Sequence, residues 1–162
     1  MHIGGFDGRK GLAMKQTEKV KHYLNGAWYY QKKADFLNEK IMVLRSKATK
    51  MTTSYQDIPT FGGFADHRQQ VIAEMVDTER EYRKMTQQCR NKVQEITFFI
   101  NQLDSFQERI VLQLRYIYFE SWQDVALRLN YSEPAVYKIH GKALMHLIDI
   151  NNAMKDKGKG LF

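Results

Sequence analysis

A chain of 162 residues has room for one domain of ordinary size, or for a small domain joined to an elongated helical part, and excludes two large globular domains. The 43% of apolar residues can fill a core, and the 27% of charged residues demand extensive exposed surface, which excludes a chain disordered throughout. The single cysteine, Cys89, excludes an intramolecular disulfide and a cysteine-based zinc site. No apolar run reaches the roughly 18 residues a membrane helix needs, and the N-terminus lacks a signal peptide's apolar stretch. The expectation is a cytoplasmic protein with no membrane contact.

The net charge of +7 favours a polyanionic partner, and its distribution is uneven. Residues 1–55 hold eleven Lys and Arg against four Asp and Glu; residues 56–102 hold six against seven, and residues 103–162 eight against seven. The excess is N-terminal, where a basic helix face could follow phosphates or simply be solvated. With only Pro59 and Pro134, and long stretches of good helix formers, the chain reads as all-α.

Residues 1–14 are glycine-rich and lack apolar periodicity, so they read as a flexible leader, with structure beginning near Lys15. Val20, Leu24, Ala27, Tyr30, Ala34, Leu37, Ile41, Leu44 and Ala48 then recur at steps of three and four, the spacing of one helix face. A single helix of about 50 Å follows from a rise of about 1.5 Å per residue, and its apolar stripe requires a partner helix. The steps from Leu24 to Ala27 to Tyr30 depart from heptad alternation and predict a local distortion.

Residues 49–65 lose the period around Pro59 and Gly62-Gly63 and read as a loop. A second helical register runs through Val71, Met75, Thr78, Tyr82, Met85, Cys89, Val93, Ile96, Ile100 and Leu103, with Cys89 as core packing. Residues 15–103 are thus expected to form a long, coiled-coil-like helical hairpin, a stalk or a means of homodimerisation.

After Leu103 the pattern changes to three shorter helices over residues 104–150. Asp104 or Ser105 caps one through Tyr116, whose apolar side is Ile110, Val111, Leu114 and Ile117. Ser121 caps a second, Trp122 to Leu129, and Asn130, tolerant of a left-handed backbone, ends it. Ser132 caps a third with Pro134 in its first turn, buried through Val136, Ile139, Ala143, Leu144 and Leu147. Small Ala126 permits a close helix crossing. The arrangement is that of a helix-turn-helix, in which the third helix turns Glu133, Ala135, Tyr137, Lys138 and Lys142 outward. Residues 151–162 read as a flexible tail. Trp122 is expected to seat the second helix, and His140 to be an exposed helix residue or a weak phosphate contact rather than a metal ligand, since no His or carboxylate at i+4 makes a metal pair.

The runs Ile110 to Tyr116, Trp122 to Ala126, Asn130 to Ser132 and Val136 to Ile139, with Ala143-Leu144, resemble region 4 of bacterial sigma factors. From about Lys15 the chain also resembles phage-encoded regulators of the ArpU type, on Ala48-Thr49, Asp57-Ile58-Pro59, Gly62-Gly63 and the run Val136 to Leu144. The resemblance implies a phage or prophage late-gene activator acting on promoter DNA in a bacterial host cell. Carried over by position, Ser121 and Gln123 would donate to phosphate at a helix N-terminus. Glu133 would accept from a cytosine amino group, Ala135 would touch a thymine methyl, Tyr137 and Lys138 would reach base edges or nearby phosphates, Lys142 would meet a phosphate, and Ser132 belongs to the same DNA-binding set. Arg115 corresponds to a basic position in sigma factors and is open to a DNA contact or a fold-supporting one. Glu133, Pro134 and Ala135 depart from the basic start of the sigma recognition helix, so the sigma sequence preference does not transfer.

Two other readings compete with a double-stranded DNA-binding regulator. Small terminase subunits also join a helix-turn-helix to oligomerising helices, and a sigma-like module can bind RNA polymerase while barely touching DNA. No nucleophile motif, phosphate loop or zinc-ligand cluster is legible, so neither an enzyme nor a cofactor is expected.

Overall fold

The structure, a computed structural model, describes the backbone of residues 7–53 and 63–162 and the side chains of residues 15–51 and 66–162. These residues are all-helical: α1 (Asp7–Leu24), α2 (Gly26–Thr53), α3 (Gly63–Ile100), α4 (Phe106–Tyr116), α5 (Trp122–Leu129) and α6 (Glu133–Asp156). None of these helices is long and apolar enough to cross a membrane. The chain divides into two compact units, residues 29–90 and residues 1–28 with 91–162.

Within residues 29–90, α2 and α3 pack in opposite directions. Ala34, Leu37 and Met85 are buried with Tyr30 and Tyr82 against them. Lys33 pairs with Glu81 and Lys40 with Glu74, both at 2.8 Å, so the numbering rises on one helix as it falls on the other. These exposed pairs add little stability and mainly fix direction. Burial of Ala34, Leu37, Ile41, Leu44, Val71 and Met85 carries the contact. Cys89 is buried, donates from Sγ to Gln31 Oε1 at 3.6 Å, and has its thiol pKa pushed up first by burial and then by Asp35.

In the other unit, α1, the start of α2, the end of α3, α4 and α6 share one core. Leu24, Ile96, Phe99, Ile100, Leu112 and Leu147 are at most 2% exposed there. A second cluster, Val111, Leu114, Val125, Ala126 and Val136, joins α4, α5 and α6, with Trp122, Leu129 and Ile139 against it. Three serines start the three C-terminal helices: Ser105, Ser121 and Ser132 accept from the backbone N–H of Glu108, Asp124 and Ala135. Asn130 ends α5 with φ 55°, and the Tyr131 N–H reaches back to the Ala126 carbonyl at 2.9 Å. Phe119 also has a positive φ, 59°, an unfavourable backbone for a bulky side chain that its packing on the larger core offsets.

Five expectations need correction. The single helix through Val20 and Ala48 is broken between α1 and α2 at Asn25, where Asn25-Gly26, both poor helix formers, coincide with the step from Leu24 to Ala27. Helix begins at Asp7 rather than near Lys15; residues 1–6 of the expected leader lie outside the described residues. Residues 49–53 and 63–65 of the expected loop are helical, because α2 runs to Thr53 and α3 starts at Gly63; residues 54–62, Pro59 among them, lie outside the described residues. Residues 151–162 are not a loose tail. Helix α6 continues to Asp156, and buried Asn151 then accepts from the Leu161 N–H and donates to the Phe162 carbonyl, at 2.8 and 3.1 Å. The Phe162 ring reaches Tyr23 and Phe99, with centroids 5.6 and 5.7 Å away.

His140 is likewise buried rather than exposed. It shares a 2.9 Å hydrogen bond with the Tyr116 hydroxyl, stacks on that ring and meets the Trp122 ring edge-on at 4.8 Å. Burial first, then the charges of Lys21 and Arg115, lower its pKa from 6.5 to about 4.

The unfolded chain therefore takes up a proton on His140 at a higher pH than the folded chain does. The stability this contributes is complete above pH 6.5 and lost as pH falls toward about 4. Denaturation across that interval should show a loss of about 3 kcal/mol, and His140→Gln should flatten it. Asn130→Val should cost about 1–2 kcal/mol in the same assay while Asn130→Gly stays near the parent, because the left-handed backbone excludes a β-branched residue.

Candidate functional site

The amphipathic pattern of α6 fixes two sides. Val136, His140, Ala143, Leu144, Leu147 and Ile148 point into the two cores. Tyr137, Lys138, Gly141, Lys142 and Met145 are exposed. The side chains of Lys138 and Lys142 lie one turn apart, so both cations occupy one face. Tyr137 is 47% exposed and leans on Trp122, ring centroids 5.0 Å apart, which restricts where its hydroxyl can reach. Glu133 and Ala135, at the helix start, are half-buried.

Residues at the approach to α5 are more constrained than the spacing implied. Ser121 accepts from the Asp124 N–H and donates its hydroxyl proton to the Asp124 carboxylate at 2.6 Å. That hydroxyl is committed to the cap beside a negative charge, which disfavours the expected donation to phosphate; Gln123, next to it, is exposed. Ser132 likewise accepts from Ala135 N–H as a cap. Arg115 donates to the Glu120 carbonyl at 2.7 Å and lies 4.8 Å above the Trp122 ring, contacts that hold the α4–α5 connection against the second core. Of the nine residues singled out in the sequence, Gln123, Tyr137, Lys138 and Lys142 are exposed and show no hydrogen bond or ion pair among the described residues, whereas Arg115, Ser121 and Ser132 engage their polar groups in contacts within the chain.

Several neighbours were not singled out from sequence. Arg128 pairs with Glu120 at 2.9 Å, and Tyr131 accepts from Gln107 Nε2 at 3.1 Å. Leu127 is 80% exposed on α5. The only signal for Leu127 was its place on the polar side of a short helix, where a leucine has no buried partner. Along α5, its flanks and the first half of α6, Arg128, Lys138 and Lys142 equal Glu120, Asp124 and Glu133 in number. One turn beyond Lys142, exposed His146 places Nδ1 2.8 Å from Oε2 of buried Glu108, tying α6 to α4. Among the described residues, no three His, Cys, Asp or Glu side chains come together in a way that could hold a metal ion. The face offers hydrogen-bond donors, two cations and an aromatic hydroxyl to a surface brought against it.

No curated protein and no solved structure matches this chain. A family model described as a protein of unknown function, DUF1492, matches residues 49–148, from the end of α2 through most of α6. That span is more than half of the sequence, and the chain belongs to the DUF1492 family.

Proposed function

We propose that α5, the Asn130 turn and α6 are a sigma region 4-like helix-turn-helix and that the protein is a sequence-specific regulator binding double-stranded promoter DNA. The observation that carries this reading is the outer face of α6: Tyr137, Lys138 and Lys142 are exposed on a helix whose inner face is anchored by Val136 and Ala143. An α-helix held in this way fits a major groove. In such a complex Tyr137 and Lys138 approach base edges, Lys142 meets a phosphate, and Gln123 donates to the backbone near the start of α5. Arg115 supports the fold behind them. The resemblance to ArpU-type regulators extends the proposal to activation of phage or prophage late genes.

A second reading, binding of host RNA polymerase with little DNA contact, is favoured by exposed Leu127 beside a nearly neutral surface. An apolar anchor of this kind is more at home in a protein interface than against phosphates.

Selection from random duplexes with the full chain should enrich one sequence. On that duplex the pair Lys138→Ala and Lys142→Ala should weaken binding by about tenfold and, through the lost Lys142 phosphate contact, lower the salt slope by about one. Binding unaffected by both changes, together with polymerase capture lost on Leu127→Ser, would transfer the function to the second reading.

A further inference from the structure

Helix α2 carries a second apolar row beside the one that packs on α3. Tyr29, Phe36 and Val43 are 61%, 65% and 54% exposed, while Ala34, Leu37, Ile41 and Leu44 are buried. Steps of seven residues keep the three side chains within roughly 40° of one another around the helix. Such a row, one apolar residue per heptad, is the kind of seam that another helix covers.

The charges beside this row discriminate among possible occupants. Lys32 and Glu39 are also seven residues apart, so they lie on the same flank of the row with opposite sign. Lys33 and Lys40 lie on the other flank, and each is already paired at 2.8 Å, with Glu81 and Glu74. Lys32 has only a long, exposed contact of 3.6 Å with Asp35.

We propose that this face of α2 packs antiparallel on α2 of a second copy, about a twofold axis passing beside Phe36. The symmetry sets Phe36 against its own copy and exchanges Tyr29 with Val43, which lie equally far on either side. Lys32 lies four residues before Phe36 and Glu39 three after it, so each Lys32 falls within about 1.5 Å along the axis of the other copy's Glu39. Both charged pairs form at once, as an isologous interface requires. A parallel pairing would instead set Lys32 beside the other copy's Lys33 and Glu39 beside its Lys40, cations already neutralised by Glu81 and Glu74, so it forms no comparable opposite-charge pair. On the opposite flank the antiparallel pairing brings Lys33 near Lys40, and the in-chain glutamates offset that repulsion.

The three apolar side chains and the stems of the flanking lysines remove on the order of 1,000 Å² from water over both copies, near the lower bound for a specific interface. The dimer is therefore expected in the micromolar range. It is independent of what α6 recognises, because every residue it uses lies on α2 or α3.

Sedimentation velocity of the full chain over rising concentration tests the proposal. The parent should pass from monomer to dimer. Phe36→Glu should remain monomeric with unchanged helicity by circular dichroism, and Val43→Glu, at a second point of the row, should do the same. Glu39→Lys should weaken association by about tenfold, and Lys32→Glu combined with Glu39→Lys should restore it by re-forming both pairs with reversed sign. A parent that stays monomeric throughout, a dimer that survives both glutamate substitutions, or a double variant no better than Glu39→Lys would overturn the proposal.

Discussion

Burial of one side of α6 is the constraint on which the unit of residues 1–28 and 91–162 depends. Val136 enters the cluster formed with α4 and α5, while Ala143, Leu144, Leu147 and Ile148 enter the core shared with α1 and the end of α3. His140 stands between the two sets and ties them through Tyr116 on α4 and Trp122 on α5. One helix thus fastens both clusters, and its outer residues are exposed as a direct consequence of what its inner residues must do. A side chain cannot serve both sides of a helix, so the inward anchoring of Val136 fixes the outward placement of Tyr137 and Lys138.

Polar groups follow the same logic. Ser105, Ser121 and Ser132 each satisfy an N–H that a helix start would leave without a partner, and Asn130 supplies the left-handed residue that reverses the chain. Having spent these hydroxyls on the fold, the surface near α5 and α6 keeps Gln123, Tyr137, Lys138 and Lys142 for other contacts. Arg115 and Arg128 are bound to the Glu120 carbonyl and carboxylate, so cations that look equivalent in the sequence differ in availability. This near-balance of charge around α6 means that any recognition by this face rests more on shape and directed hydrogen bonds than on a strong electrostatic field.

The paired helices of residues 29–90 are simpler. Their apolar stripes meet along the contact, and their ion pairs set direction rather than depth of stability. The surplus aromatic residues on α2 stand apart from that contact, which is why an interface between copies is the natural use for them.

Periodicity alone determined the helical class, the buried stripes of α2 and α3, and the limits of α4 and α5. These follow from local rules: apolar residues at steps of three and four, a serine at each start and an asparagine at the turn. The outward set Tyr137, Lys138 and Lys142 was legible for the same reason. Only tertiary structure decided that the helix breaks at Asn25 and that Phe162 is drawn onto Tyr23 and Phe99. The same holds for the burial of His140 between two aromatic rings and the commitment of Arg115 and Ser121 to the fold. Those outcomes depend on which groups distant segments bring within a few ångströms of each other, and spacing along one chain carries no record of that.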